Sequence, residues 1–219
     1  MHGGLGLAAG PNVVVGQAYE PGWIGSNDTY IAPTSTNLAC TRDATWTASV
    51  GSNENLPIDC VNWYEAYAFC IWDGGFLPSE TEAEYAAAGG SQQREYPWGS
   101  TDPGTANQYA IYGCYYPNGS GCTLTFANIA PVGTATLGVG LWGQLDLAGN
   151  IVEWTLDAYG PYLDPCVDCA DLYNLSGQQA CGGSNFQASA SQLLPTASGS
   201  FEPVGRGVEG IGFRCARTP

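Results

Sequence analysis

The stretch Gly149-Asn150-Ile151-Val152-Glu153-Trp154-Thr155-Leu156-Asp157 sets a carboxylate, Glu153, among Ile151, Val152 and Trp154, residues that suit a buried strand. A carboxylate in such a place is costly unless it is paired, hydrogen-bonded or bound to a metal. Three roles are open to Glu153: a solvent-facing strand residue, a general acid, or a cation ligand. Asp146 and Asp157 flank it, and carboxylates alone can do acid–base work. Their spacing shows no paired constellation.

Other reactive residue types narrow the chemistry. The single histidine is His2, and the one C-x-x-C pair, Cys166 and Cys169, has no histidine near it, which argues against a zinc site. Nine cysteines at irregular spacings read as disulfides of an oxidising compartment. Nine is odd, so at least one thiol is free or pairs between chains. The formal net charge is −15 with no lysine, and the five arginines are scattered, which excludes a phosphate-binding stripe. Nucleic acid and anionic membranes are poor partners for such a chain, whereas cations suit it. No apolar run is long enough to span a bilayer, and the first ten residues do not read as a secretory signal. Three glycosylation sequons begin at Asn27, Asn118 and Asn174.

Two helices are signposted among the elements that must position these groups. Over 62–73, Asn62 caps and Glu65 stands at the capping-box position. Trp63, Ala66, Tyr67, Cys70 and Ile71 share one face, and Gly74-Gly75 form the stop. Over 79–88, Ser79 caps and Glu82 completes the box. Glu80, Glu82 and Glu84 read as a solvated start matched to the helix dipole. Residues 1–59, rich in Gly, Pro, Ser, Thr and Asn, read as mostly loop with one or two strands. Beyond residue 90 the chain reads as short strands and long loops: a turn at 96–99, extended chain at 141–157, and final strands at 181–186 and 210–216.

Four segments together resemble the formylglycine-generating enzyme (sulfatase-modifying factor) family: 56–90 with both helices, Tyr-Pro-Trp-Gly at 96–99, Gly-Gln-Leu-Asp-Leu-Ala-Gly-Asn-Ile-Val-Glu-Trp at 143–154, and Gly182–Ser184 with the terminal Gly-Phe-Arg-Cys-Ala-Arg at 212–217. The resemblance implies an α+β, C-type-lectin-like fold of the formylglycine-generating-enzyme type, with two helices, short strands, long loops and little regular secondary structure. Residues 56–219 form the family-like domain, and 1–55 a divergent or truncated N-terminal part of it. The resemblance also implies a structural calcium ion held by the Glu153 carboxylate and carbonyls at Ala148, Gly149 and Ile151, a donor set calcium accepts. A second calcium site would use Asn107 and Gln108, but the aspartate it needs is missing near Leu124. The family's helix–terminus disulfide becomes Cys70–Cys215. Proximity adds Cys40–Cys60, Cys114–Cys122 and Cys166–Cys169, leaving Cys181 over.

The chemistry of the family does not carry across. Its enzymes hold copper on two thiolates placed after Gly-Gly-Ser, and the matching positions here are Gln187 and Gln192. The expected function is therefore a secreted or cell-surface module that binds a protein, glycan or surface ligand, or copies of itself. Asn185, Phe186, Gln187, Gln192, Phe201 and Arg206 would face the ligand. The alternative is an oxidoreductase of the formylglycine-generating type, or another enzyme of this fold acting through Asp146, Glu153 or Asp157.

Overall fold

The computed structural model describes residues 8–9, 20–40, 44–119, 122, 126–161, 169–172, 177–181, 189–206 and 210–217, with backbone alone at 8–9, 126 and 178–181. Its elements are β1 (Ala8–Ala9), α1 (Ser35–Leu38), α2 (Trp63–Trp72), α3 (Glu80–Ala87), β2 (Val152–Ala158), β3 (Cys169–Ala170), β4 (Gln178–Cys181), β5 (Ser198–Phe201) and β6 (Ile211–Phe213). Short 3-10 turns and loops make up the remainder of the described chain.

Both helices begin where the sequence places them. Asn62 and Ser79 accept hydrogen bonds from the N–H of Glu65 and Glu82, and each glutamate reaches back to its cap's N–H. α2 ends with Gly74 at φ 75°, the Gly74 N–H donating to Ile71 O and the Gly75 N–H to Cys70 O. That double closure needs a left-handed residue, which glycine supplies without a Cβ clash. The first turn of α3 departs from the solvated reading, because Glu80 is buried. Its N–H donates to the Asp157 carboxylate of β2, so this helix start is docked on the sheet.

The main sheet runs β5-β4-β2-β6, with β2 and β6 parallel and the other pairs antiparallel. β1 and β3 form a separate two-residue parallel pair. β2 is central and covered on both faces. Ala66, Tyr67 and Cys70 of α2 meet Trp154, Leu156 and Ile211 of the sheet, with Val61 and Leu77 closing the main core. The Trp154 indole N–H donates to Val61 O, so the polar edge of this large buried ring is satisfied.

Disulfides tie distant segments together. Cys40–Cys60, Cys70–Cys215 and Cys114–Cys122 have Cα separations of 5.8, 5.3 and 4.9 Å. Cys70–Cys215 spans 145 positions, and closing a loop of that length constrains the unfolded chain by about 5 kcal/mol. Cys169 is also disulfide-bonded, while Cys166 and the side chain of Cys181 lie outside the described residues. Such a set suits an oxidising compartment. No described helix is long and apolar enough to cross a membrane.

Candidate functional site

The turn before β2 is built from conformations few residues tolerate. Asp146, Gly149 and Asn150 have φ of 56°, 89° and 68°. A Cβ on Gly149 would lie 2.7 Å from Ile111 O, so only glycine fits there. Asn150 is buried and acts as a clamp. Its N–H donates to Ile111 O at 2.7 Å, its side-chain oxygen accepts from the Ala130 N–H at 2.9 Å, and its side-chain amide donates to Ala130 O at 3.0 Å. Asp146 accepts from the Gly133 N–H at 2.6 Å. Three loops are thereby locked around the start of β2.

Glu153 emerges from this turn as half of an ion pair. Arg214, which follows β6, donates from Nε to one carboxylate oxygen at 2.5 Å and from Nη2 to the other at 2.6 Å. The same guanidinium donates to Leu145 O at 3.2 Å and Asp146 O at 2.6 Å. The solvent-facing role is therefore not the one Glu153 takes: its side chain is only 18% exposed and is held bidentately. The parallel register explains the meeting, because Glu153 stands opposite Gly212 and Arg214 is two residues further on. Sequence reading missed Arg214. Its place in Gly-Phe-Arg-Cys was visible, but the strand pairing was not.

The donors named for calcium are brought to one place. Gly149, Ile151, Glu153 and Asp146 line a cleft of about 480 Å³. The carbonyls of Ala148, Gly149 and Ile151 accept no hydrogen bond from a described residue. Carbonyls beside a carboxylate fit calcium in type, and an ion there would share Glu153 with Arg214. At the second location Asn107 is left-handed, with φ 59°, and its buried side-chain oxygen lacks a hydrogen-bond partner. Gln108 contributes its carbonyl to the Leu137 N–H instead. Leu124 lies outside the described residues. No group of three or more His, Cys, Asp and Glu side chains able to hold a metal occurs among the described residues, so any cation site rests largely on carbonyl and amide oxygens.

The residues expected to face a ligand are dispersed. Gln192 is exposed on the 3-10 turn Ala190–Leu193. Phe201 instead packs edge-on against Trp154 at 6.0 Å, partly buried in the core. Arg206 is also turned inward. Its guanidinium grips both carboxylate oxygens of buried Glu65, which also accepts from the N–H groups of Ala32 and Asn62. A carboxylate buried at a helix start needs such a partner, and that need draws Arg206 away from the surface. Asn185, Phe186 and Gln187 lie outside the described residues. Asp157 is buried and accepts from the Glu80 and Asp171 N–H groups at 2.7 and 2.8 Å. Burial pushes its carboxyl up to about 6, against the pull of those two bonds.

A larger cleft, about 940 Å³, lies elsewhere, between α2 and the chain after β6. Trp46, Phe69 and Trp72 line it and are 38%, 46% and 79% exposed.

Comparison with known proteins supplies the context. The sulfatase-modifying factor enzyme 1-like domain matches residues 15–219. Inactive C-alpha-formylglycine-generating enzyme 2 of Mus musculus is 32% identical over 166 residues, covering 74% of this chain and 49% of the relative. Formylglycine-generating enzyme of Streptomyces coelicolor is 31% identical over 187 residues, covering 80% and 59%. The chain thus spans about half the length of the curated relatives it matches. Among solved structures, Treponema denticola variable protein 1 superposes with a TM-score of 0.59 at 22% identity, covering 84% of this chain and 80% of that one. PvdO from Pseudomonas aeruginosa gives 0.57 at 21%, covering 73% and 60%. Both likenesses are of fold.

Proposed function

The chain belongs to the sulfatase-modifying factor enzyme 1-like family, and from that premise we propose that it is a non-catalytic member, a secreted or cell-surface module that works by binding. The observation that carries this reading is the residue at the family's second copper position. Gln192 is an exposed amide, and an amide cannot supply the thiolate that copper requires. The seven cysteines Cys40, Cys60, Cys70, Cys114, Cys122, Cys169 and Cys215 are each held in a disulfide, which removes them from copper ligation. Similarity to relatives named as inactive supports the same reading.

Calcium belongs to this reading as a structural ion. Glu153 and the carbonyls of Ala148, Gly149 and Ile151 would hold it, with Asn107 as a candidate donor at the second location. When bound, the ion would cross-link the turn before β2 to the strand itself. Arg214 already does part of that work, orienting Glu153 and satisfying Leu145 O and Asp146 O.

The test is direct. The purified chain, incubated with copper, O₂ and a Cys-x-Pro-x-Arg peptide, should leave the cysteine unchanged by mass spectrometry. Aldehyde formation at turnover rates would remove the proposal.

A further inference from the structure

The cleft at Trp46, Phe69 and Trp72 is the strongest feature without a role. Its volume, about 940 Å³, falls at the upper end of the roughly 300–1,000 Å³ of small-molecule sites. Its lining residues fall within 31–46, 58–73 and 213–217. These three stretches are fixed to one another before any occupant arrives. Cys40–Cys60 joins the first to the second, and Cys70–Cys215 joins the second to the third. The Ala32 N–H donates to Glu65 of α2 at 3.0 Å, a further tie between the first two. Pre-formed walls spare an occupant the cost of ordering them.

The chemistry of the walls selects the occupant. Trp72, Phe69 and Phe213 form a continuous aromatic row, with ring centroids 5.5 and 5.4 Å apart. Each charged side chain on the walls already has a partner: Glu65 has Arg206, Asp73 has Arg217, and Arg214 has Glu153. An ionic ligand would lose its water there and gain no unpaired charge in exchange. An anion, or a second copy of the chain, also meets a net charge of −15. The indole N–H groups of Trp46 and Trp72 donate to no described residue. A ligand that covers these rings takes both N–H groups out of water, so each calls for an acceptor.

From these features we infer that the cleft binds an uncharged, largely apolar ring compound that carries hydrogen-bond acceptors, carbonyl or ether oxygens. Its rings lie against Phe69, Trp72 and Phe213, and its acceptors meet the indole N–H groups of Trp46 and Trp72. Apolar and aromatic walls with a few placed polar groups are the usual make-up of such a site. The inference rests on the reading of the chain as a binding module and names a ligand class for it.

The test uses the full chain and benzophenone, an uncharged diaryl ketone, followed by calorimetry. Diphenylmethane keeps the two rings but lacks the acceptor, and should bind about 3–10-fold more weakly. The anionic para-benzoylbenzoate should bind at least tenfold more weakly. Irradiation of the benzophenone complex should attach the label within the three lining stretches, as mapped by mass spectrometry. Ala68→Trp, which fills the cleft, and Trp72→Ala, which removes a ring and a donor, should each weaken binding at least tenfold. The circular dichroism of both chains should match the parent's. Absence of binding to the parent chain, equal binding of the three compounds, or labels placed only outside the lining stretches would each overturn the inference. So would a dimer in sedimentation that Ala68→Trp dissociates, which would give the cleft to a second copy. None of these outcomes touches the non-catalytic reading, which falls only to aldehyde formation.

Discussion

Arg214 holds Glu153 by two hydrogen bonds and, with the same guanidinium, caps the carbonyls of Leu145 and Asp146. One side chain therefore joins the end of β6, the start of β2 and the turn that precedes β2. Arg214→Met should leave a half-buried carboxylate unpaired and lower stability by about 1–3 kcal/mol. In a double-mutant cycle in EGTA, Arg214→Met and Glu153→Gln should be strongly non-additive. Additive effects by urea unfolding would show that the pair is not a unit.

Calcium removal tests the shared carboxylate. A ligand bound only by the folded state stabilises it by about 2.7 kcal/mol at a hundredfold excess over Kd. For a chain of this size that is roughly 5–10 °C in Tm. EGTA should lower the Tm of the parent chain by that order, and added calcium should restore it. Glu153→Gln should be insensitive to both. An identical EGTA response in the variant would place the ion elsewhere, with Asn107 the next position to change.

How much of this was legible in the sequence depends on the range of the interaction. Asn62, Ser79 and the Gly74-Gly75 stop act within one helix turn, so local residue types suffice to place both helices. Glu153 was legible as an anomaly but not in its resolution. Its partner lies 61 positions away, and only the parallel pairing of β2 with β6 brings the two together. Arg206 and Phe201 looked like loop residues because their neighbours are small and polar. Their partners, Glu65 and Trp154, belong to elements far away in sequence, and burial of those partners decides where they point. The cleft at Trp46, Phe69 and Trp72 has no local signature, because its walls come from segments joined only by folding.

Asp157 should give the molecule a measurable acid limb. Its folded carboxyl is raised from 3.8 to about 6, chiefly by burial. The native state therefore holds this proton more tightly than the unfolded chain does. The contribution is fully present below about pH 4 and is lost as pH rises through about 6. The difference corresponds to about 3 kcal/mol as an upper figure. Urea midpoints taken between pH 4 and 7 should show this component in the parent chain and lose it in Asp157→Asn. An unchanged slope in the variant would assign the titration to another group.

The Glu65–Arg206 pair separates a structural arginine from a ligand-facing one. Glu65 is buried, caps α2 and receives the Ala32 N–H, while Arg206 also reaches Cys60 O. Removing the cation leaves a buried charge whose remaining donors are backbone N–H groups. Arg206→Ala should therefore destabilise by about 3–5 kcal/mol. Glu65→Gln combined with Arg206→Met, which removes both charges, should recover a large part of that loss. If Arg206→Ala instead leaves the urea midpoint unchanged and abolishes binding of a partner, the guanidinium belongs to the surface.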